Sequence, residues 1–239
     1  AAYFLARQGR RIVGRISAQI LSDTPAQWPH KTGLFGCLDA IDDFHVVNAL
    51  LDHAGQWLEA RGMERMRGPF NLSSNGETGL QISGQLHTPM VMMPWHPLYL
   101  STHAQALSLK PVKDVVSYDF ELSRLGPSDL KRHRALTARA AGDLRVRSLD
   151  LGHLHRDIQI ITTIYNDAWS ANWGFIPISD AESLAMADSL KTIIQEDMAV
   201  IVERDGVPVA VALWIPNIQE VVTGMDGRLL PFNWIKFLW

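Results

Sequence analysis

The sequence predicts an α+β protein with helices layered on both sides of β-sheet, an α/β/α arrangement, and three segments support this prediction. Residues 3–20 are typical of a β-hairpin, because two apolar strands flank the turn residues Gln8-Gly9-Arg10. Apolar residues then recur at helical spacing from Val47 to Leu58, behind a pair of helix-capping aspartates, Asp42-Asp43. Near the other end, two further apolar strands meet at Arg204-Asp205-Gly206. Sheet strands and amphipathic helices in one chain indicate a layered fold.

The first half of the chain alternates strands and helices. Gly33 to Ile41 is apolar enough for a short strand, and the helix that follows ends at Arg61-Gly62, a basic last turn and a C-terminal glycine. Met63 to Phe70 is predicted to be the next strand, before a polar loop and a short helix from Pro97 to Leu107. Val115 to Leu122 alternates apolar and polar residues, which predicts another strand.

The second half has a different order of elements. Gly126 to Gly142 is basic and is predicted to be a solvated helical connector. A strand starts at Leu144, two helices follow, and Ser179 with Glu182 forms a capping box before the second of them. Two strands then end the pattern, giving strand, helix, helix, strand, strand.

Composition narrows the function classes. The 239 residues are 47% hydrophobic and 20% charged with a net charge of -3, so the chain has no basic field for nucleic acid. No apolar run reaches the length of about 18 residues needed to cross a bilayer, and one cysteine excludes a disulfide framework. The pairs His45/His53 and His153/His155 lack suitably spaced partners, so we expect no metal. We expect a cytoplasmic protein, and the apolar ends suggest a fragment of a longer chain.

The order of the second half resembles the opening half of the Gcn5-related N-acetyltransferase (GNAT) fold, and residues 200–213 resemble its second and third strands. The first half, from its hairpin onward, resembles the closing half of the same fold. The resemblance implies two GNAT-like domains in tandem, both truncated in this chain. Their expected extents are 1–123 for a degenerate first domain, 124–142 for the connector and 143–239 for the start of a second domain.

Two sequence blocks are similar to those of one bacterial family of tandem GNAT proteins, the YghO-like and bacterial ceramide synthase-like family. The first block contains Met66 to Asn71, then Ser73, Asn75, Glu77 and Gly79, and ends with Met90 to Pro94. The second contains Ile164 to Trp169 and Asn172 to Phe175. The resemblance implies an acyltransferase that moves an acyl group from acyl-CoA to an amine. For ceramide synthase-like members that amine is a long-chain sphingoid base, but the acceptor of this chain stays open. The alternative is a non-catalytic GNAT-like module that binds a small molecule or an acyl chain.

Both blocks supply candidate site residues. Glu77 is the candidate catalytic residue, as a general base or as a partner for the substrate ammonium. The candidate substrate-binding residues are amides, aromatics and a glycine: Asn71, Asn75, Asn166, Trp169, Asn172, Trp173, Gly174 and Phe175. Two structural alternatives remain open at this point. The loop residues Asn71, Asn75 and Glu77 could bond only to each other, and Tyr165 and Trp169 could simply continue a core stripe.

Acyl-CoA is the expected co-substrate, and its pyrophosphate would bind backbone N–H groups at the start of a helix. In the first domain that position is Leu38 to Asp43, whose three carboxylates repel phosphate. The corresponding loop of the second domain would lie beyond Trp239. We therefore expect catalysis to belong to the second domain and this chain alone to be inactive. Leu229 to Trp239 is expected to be buried against strands missing from this chain, although lining of an acyl channel and peripheral contact with a membrane surface stay open.

Overall fold

The computed structural model describes residues 1–22, 24–25, 27–71, 75–90, 93–118, 121–190, 194–215, 217 and 219–238. These residues form two compact units. Unit 1 comprises residues 1–113, 172–176 and 216–239, and unit 2 comprises residues 114–171 and 177–215. Both units contain helices and a sheet, which confirms the α+β class.

Unit 1 contains a four-stranded sheet in the order β1-β2-β3-β4. The strands are β1 (Ala2–Gln8), β2 (Arg11–Gln19), β3 (Thr32–Ala40) and β4 (Arg65–Arg67). The first three are antiparallel to their neighbours and β4 is parallel to β3. The predicted hairpin is confirmed, and Gly9 supplies a φ of +61° in its turn. The strand predicted over Met63 to Phe70 is shorter than expected, because Pro69 has no N–H to continue the ladder.

Two helices of unit 1 follow the predicted positions, α1 (Phe44–Glu59) and α2 (Leu98–Ala106). The Asp43 carboxylate caps α1 by accepting hydrogen bonds from the backbone N–H groups of His45 and Val46. The apolar stripe of α1 covers one face of the sheet, and Gly33 lies so close to Leu58 that a Cβ there would overlap it. The buried core of this face consists of Val13, Ile16, Ala18, Phe35, Leu38, Val46, Val47, Leu50, Leu51, Ala54, Leu58 and Leu100.

Unit 2 contains a three-stranded antiparallel sheet in the order β5-β6-β7. Its elements are α3 (Pro127–Ala141), β5 (Leu144–Ser148), α4 (Leu154–Trp169), α5 (Asp180–Leu190), β6 (Ala199–Arg204) and β7 (Val207–Leu213). The predicted β6–β7 hairpin is confirmed, with positive φ at both Asp205 and Gly206. The capping box is confirmed as well, since Glu182 accepts from the Ser179 N–H and its own N–H donates to the Ser179 hydroxyl.

The strand predicted over Val115 to Leu122 is wrong for the part that the structure describes. Residues 115–118 form no strand, Val115 and Tyr118 are exposed, and a short 3-10 helix spans Leu122–Arg124. Residues 119 and 120 lie outside the described part. Alternation alone does not make a strand, because the backbone also needs a neighbouring strand to accept and donate hydrogen bonds.

Unit 2 joins its helix α4 to its sheet through a buried ion pair. The Asp157 side chain is 0% exposed and accepts two hydrogen bonds from the Arg147 guanidinium, at 2.7 and 3.0 Å. The same guanidinium donates to Glu203 on β6 at 2.7 Å. Burial by itself would raise the pKa of Asp157, but the hydrogen bonds from Arg147, the Asp150 N–H and Arg156 outweigh it and lower the pKa. Donating hydrogen bonds to Asp157 and, to a smaller extent, to Glu203 raises the pKa of Arg147.

Two short helices follow in chain order, α6 (Gln219–Val222) and α7 (Asn233–Leu238), and both belong to unit 1. Met225, between them, is buried, whereas Leu230 and Phe232 are exposed. Among the described residues, no helix combines the length and apolar character that crossing a membrane requires.

Candidate functional site

The segment from Gly68 to Asn71 packs directly on strand β3. The Phe70 N–H donates to the Phe35 carbonyl at 2.7 Å. A Cβ on Gly68 would overlap that Phe35 carbonyl, and a Cβ on Gly36 would overlap the Phe70 carbonyl. Close backbone approach therefore requires glycine at both positions and fixes where the following loop begins.

Both polar atoms of the Asn71 side-chain amide are hydrogen-bonded. Its Oδ1 accepts from the Cys37 N–H at 2.7 Å, and its Nδ2 donates to the Glu77 Oε2 at 2.9 Å. The Asn71 N–H also donates to the Glu77 carbonyl at 2.9 Å. The Glu77 side chain is exposed, so Asn71 holds a solvent-accessible carboxylate in a fixed position. Ser73 and the central Val91-Met92 of the same sequence block lie outside the described residues.

Asn75 connects this loop to the segment 172–176, which is part of the same unit. Its Nδ2 donates to the Ile176 carbonyl at 3.2 Å. Within the segment, the Phe175 N–H donates to the Asn172 carbonyl, and Gly174 has a φ of +72°. Unit 1 thus contains seven of the nine candidate residues: Asn71, Asn75, Glu77, Asn172, Trp173, Gly174 and Phe175.

An aromatic cluster lies beside this loop and consists of Trp28, Phe70 and Trp173. The Trp28 ring centroid is 5.3 Å from that of Phe70 and 5.5 Å from that of Trp173. Gly174 packs against the Trp28 indole, where an added Cβ would approach Cζ2 to 3.0 Å. The Arg67 guanidinium lies over both indoles, 5.2 Å from Trp28 and 5.8 Å from Trp173. Neither Trp28 nor Arg67 is among the candidate site residues of the sequence analysis, although Arg67 lies within the first sequence block, Met66 to Asn71.

Asn166 and Trp169 belong to unit 2. The Asn166 side-chain amide makes two hydrogen bonds with the backbone of Ile178: it donates to the carbonyl and accepts from the N–H, both at 2.9 Å. Trp169 stacks on Tyr165 with the ring centroids 5.4 Å apart and stays 50% exposed. Burial raises the pKa of Tyr165. The Asn166 amide is therefore engaged with backbone, while Trp169 keeps an accessible aromatic face.

The N-terminus of α1 is occupied by carboxylates of the chain itself. Asp43 caps the helix, Asp42 pairs with His103 at 2.9 Å, and Asp39 pairs with Arg15. An anionic ligand would have to displace Asp43 and approach the two other acids. Across the described ranges, His, Cys, Asp and Glu side chains form no group of three suited to a metal ion.

His96 is a buried histidine in unit 1 that sequence reasoning missed. Its Nδ1 accepts from the Gln81 N–H at 3.4 Å, and its backbone N–H donates to the Gln81 Oε1 at 3.2 Å. Burial lowers the pKa of His96, and the negative charges of Asp39 and Glu77 oppose that shift. No local motif marks this residue, because its burial depends on packing distant in sequence.

Two curated proteins are similar to the chain along almost its whole length. The bacterial ceramide synthase of Caulobacter vibrioides is 38% identical over 237 residues, which cover 99% of this chain and 61% of that protein. Protein YghO of Escherichia coli is 34% identical over 236 residues, covering 99% of this chain and 60% of that protein. The chain therefore spans about three fifths of the length of these relatives. No protein-family model and no solved structure matches it.

Proposed function

Because this chain belongs to the family of YghO-like and bacterial ceramide synthase-like proteins, we propose that it acts in an acyltransferase that moves an acyl group from acyl-CoA to an amine. One observation carries the proposal: similarity at 34–38% identity extends over 99% of the chain, and one of the two relatives is named for ceramide synthesis. Ceramides are N-acylated sphingoid bases, so the name points to amide formation on a long-chain amine. We extend this acceptor class to the present chain.

The proposed reaction is attack of a neutral amine nitrogen on the thioester carbonyl carbon. A C–N bond forms and the C–S bond breaks, coenzyme A leaves as a thiolate that takes up a proton, and the amine proton passes to a base. Glu77 is our candidate for that base or for holding the ammonium form before reaction. Its support is geometric, because the carboxylate is exposed and Asn71 fixes its Oε2 at 2.9 Å.

We assign substrate binding to the amides and aromatics that the sequence singled out. Asn75 and Trp173 lie in unit 1 together with Glu77, and Trp169 presents an exposed ring in unit 2. An apolar wall suits the hydrocarbon of a long-chain amine, and polar groups fix its head. The remaining members of the proposed set are Asn71, Asn166, Asn172, Gly174 and Phe175.

We further propose that the chain represents two GNAT-like domains, with boundaries near 1–123 and 143–239 on either side of a connector, 124–142. The order of elements within residues 1–113 and 144–213 supports this: β1-β2-β3-α1-β4-α2 in the first range and β5-α4-α5-β6-β7 in the second. We place acyl-CoA binding in the second domain, because Asp43 already occupies the helix start that would receive phosphate in the first.

A second candidate function is supported by the same acidic helix start. If neither domain handles acyl-CoA, unit 1 acts as a non-catalytic module that binds a small molecule or acyl chain beside its aromatic cluster. In a calorimetric titration of this chain with acyl-CoA we expect little binding, and tight binding would contradict the binding-module candidate.

Activity is tested on the protein in its natural length, with long-chain acyl-CoA and a sphingoid base. We expect release of free thiol matched by an amide product in mass spectrometry. Glu77→Ala should lower kcat by about a hundredfold or more, in the range of lost general-base catalysis. Glu64→Ala is the matched control, because Glu64 is an exposed carboxylate that pairs with Lys31. Absence of any amide product would favour the binding module instead.

A further inference from the structure

One face of the unit 1 sheet carries a half-buried arginine with no acidic partner among the described residues. Arg67 on β4 pairs in register with Leu34 on β3, and Leu34 pairs with Gln19 on β2. Residues opposite one another in a sheet point to the same side, so these three side chains form one row. Adjacent strands are about 4.8 Å apart, which places the Cα atoms of Gln19 and Arg67 about 10 Å from each other.

The Arg67 guanidinium lies against the Trp28 and Trp173 rings, at the 5.2 and 5.8 Å already given. Contact with ring faces stabilises the positive charge, but it leaves the in-plane N–H groups free to donate. Nη1 of Arg67 is buried and has no hydrogen-bond partner among the described residues. The cation is therefore held between the rings while at least Nη1 makes no hydrogen bond within the described part of the chain.

Three more polar atoms close to this row are buried and unpartnered within the described part of the chain: Trp28 Nε1, Gln19 Oε1 and Ser17 Oγ. Their residues are at most 4% exposed. Gln19 is also fixed in place, because its Nε2 donates to the Phe70 carbonyl at 3.1 Å. Leaving buried donors and acceptors unpaired destabilises a fold, so several such groups close together need an explanation, and a ligand that pairs with them supplies one.

We propose that this face binds a small carboxylate attached to an apolar body. The Arg67 and Trp28 N–H groups supply two donors for the two carboxylate oxygens, and the single guanidinium charge balances a single negative charge. The apolar body packs on the cluster of Trp28, Phe70 and Trp173. Gln19 Oε1 accepts from a hydroxyl or amino group on the same ligand. The proposal does not require acyl transfer, although its apolar surface shares Trp173 with the substrate-binding set proposed above.

The competing explanation is that Arg67 only braces the two indoles. The two explanations predict different changes in melting temperature for Arg67→Met. This substitution keeps most of the length and apolar volume of the side chain and removes the charge. A brace would lose its cation–π contacts, so the variant would melt at a lower temperature. A binding residue with an unsatisfied buried N–H destabilises the free protein, so its replacement should leave the melting temperature unchanged or raise it.

Binding is measured on the full chain by saturation-transfer NMR and thermal shift, with butyrate, hexanoate and benzoate against their primary amides. We expect the carboxylates to bind and the amides of the same shape not to bind. Arg67→Met should weaken carboxylate binding at least tenfold. Trp28→Phe, which keeps a ring and removes the N–H, should weaken it by a smaller factor. Arg65→Met is the matched control, because Arg65 is an exposed arginine on the same strand, and it should bind as the unmodified chain does.

Three outcomes would overturn the proposal. The first is equal binding of carboxylates and amides, which would show that charge is not recognised. The second is binding of inorganic phosphate without any carboxylate. The third is a lowered melting temperature for Arg67→Met together with unchanged carboxylate binding, which would assign Arg67 to bracing. Far-UV circular dichroism establishes whether each variant is folded. If Arg67→Met does not fold, carboxylate binding by Trp28→Phe still tests the proposal.

Discussion

The two units attach a helix to a sheet by different physical means. In unit 1, the side chains that α1 buries are all apolar, and Gly33 allows Leu58 to reach the backbone of β3. In unit 2, α4 contributes a fully buried aspartate to its sheet, and Asp157 is held there by Arg147. Among the described residues, the buried apolar core around α4 contains only Leu154, Ile158 and Ala187.

The difference teaches how each unit should respond to mutation and to pH. Apolar packing is insensitive to pH and loses stability in proportion to the volume removed. A buried ion pair depends on both partners, because removing one leaves the other as an uncompensated buried charge. Unit 1 should therefore be sensitive to truncation of its core, and unit 2 to the loss of a single charge.

Asp157→Ala is expected to have the largest effect of the changes considered. It removes the buried carboxylate that accepts from Arg147, Arg156 and the Asp150 N–H, and it leaves Arg147 with Glu203 alone, so unit 2 should lose about 3–5 kcal/mol of its free energy of unfolding. Denaturant titration followed by circular dichroism measures the loss. Asp39→Ala is the control from unit 1, because the Arg15–Asp39 pair is exposed and should contribute less than about 1 kcal/mol. Equal losses would abolish the contrast between the units.

Leu58→Ala should have the next largest effect and act on unit 1. Leu58 is 2% exposed and packs on Gly33, so its truncation leaves a cavity that costs about 3 kcal/mol. The same denaturant titration applies. Leu98→Ala removes the same atoms from a residue that is 58% exposed, and it should change the free energy of unfolding far less. A small loss at Leu58 would mean that the helix does not depend on its apolar stripe.

Local signals in the sequence predicted most of the fold. Both hairpins and the caps at Asp43 and Ser179 depend on a few adjacent residues, and the structure confirms them. The strand predicted from Val115 is wrong in the described residues because a strand also needs a partner, and pairing is decided elsewhere in the chain. The two cases differ in how far apart in sequence the interacting residues lie, and not in the strength of the pattern.

The candidate site shows the same limit. Asn71 and Glu77 are close in sequence, so a single motif pointed to both. Gln19, Leu34 and Arg67 meet only through the register of three strands, which no local pattern specifies. Trp28 joins them from a loop with no helical or strand periodicity. The aromatic face could therefore be found only once the strands were paired.

The helix caps allow a smaller comparison of the units. Asp43→Ala removes the acceptor for the His45 and Val46 N–H groups in unit 1 and should cost about 1 kcal/mol. Ser179→Ala in unit 2 removes the hydroxyl that accepts from the Glu182 N–H and donates to the Glu182 carboxylate, and it should cost a similar amount. Thermal unfolding of both variants measures the effect. Asp43→Asn, which also caps well, is the control and should restore most of the stability.

The two units should also differ in how their stability depends on pH, and this is the smallest of the expected effects. The pKa of His96 in unit 1 is lowered by burial, so the unfolded chain binds its proton first and stability falls as the pH drops below the ordinary value of 6.5. The pKa of Asp157 in unit 2 is also lowered, from 3.8, so the stability that it supplies is complete at neutral pH and is lost only in stronger acid. Between pH 7 and 5, unit 1 should therefore lose stability while the Asp157 contribution in unit 2 stays constant.

His96→Gln tests whether the buried imidazole causes that loss, because glutamine has similar reach and does not titrate in this range. Unfolding midpoints measured from pH 8 to 5 should fall less steeply for this variant than for the unmodified chain. His87→Gln replaces an exposed histidine of the same unit and should keep the original slope. If His96→Gln keeps the slope as well, the pH dependence of unit 1 comes from other groups. A unit joined by apolar contacts would then owe none of its acid sensitivity to the histidine beside the Glu77 loop.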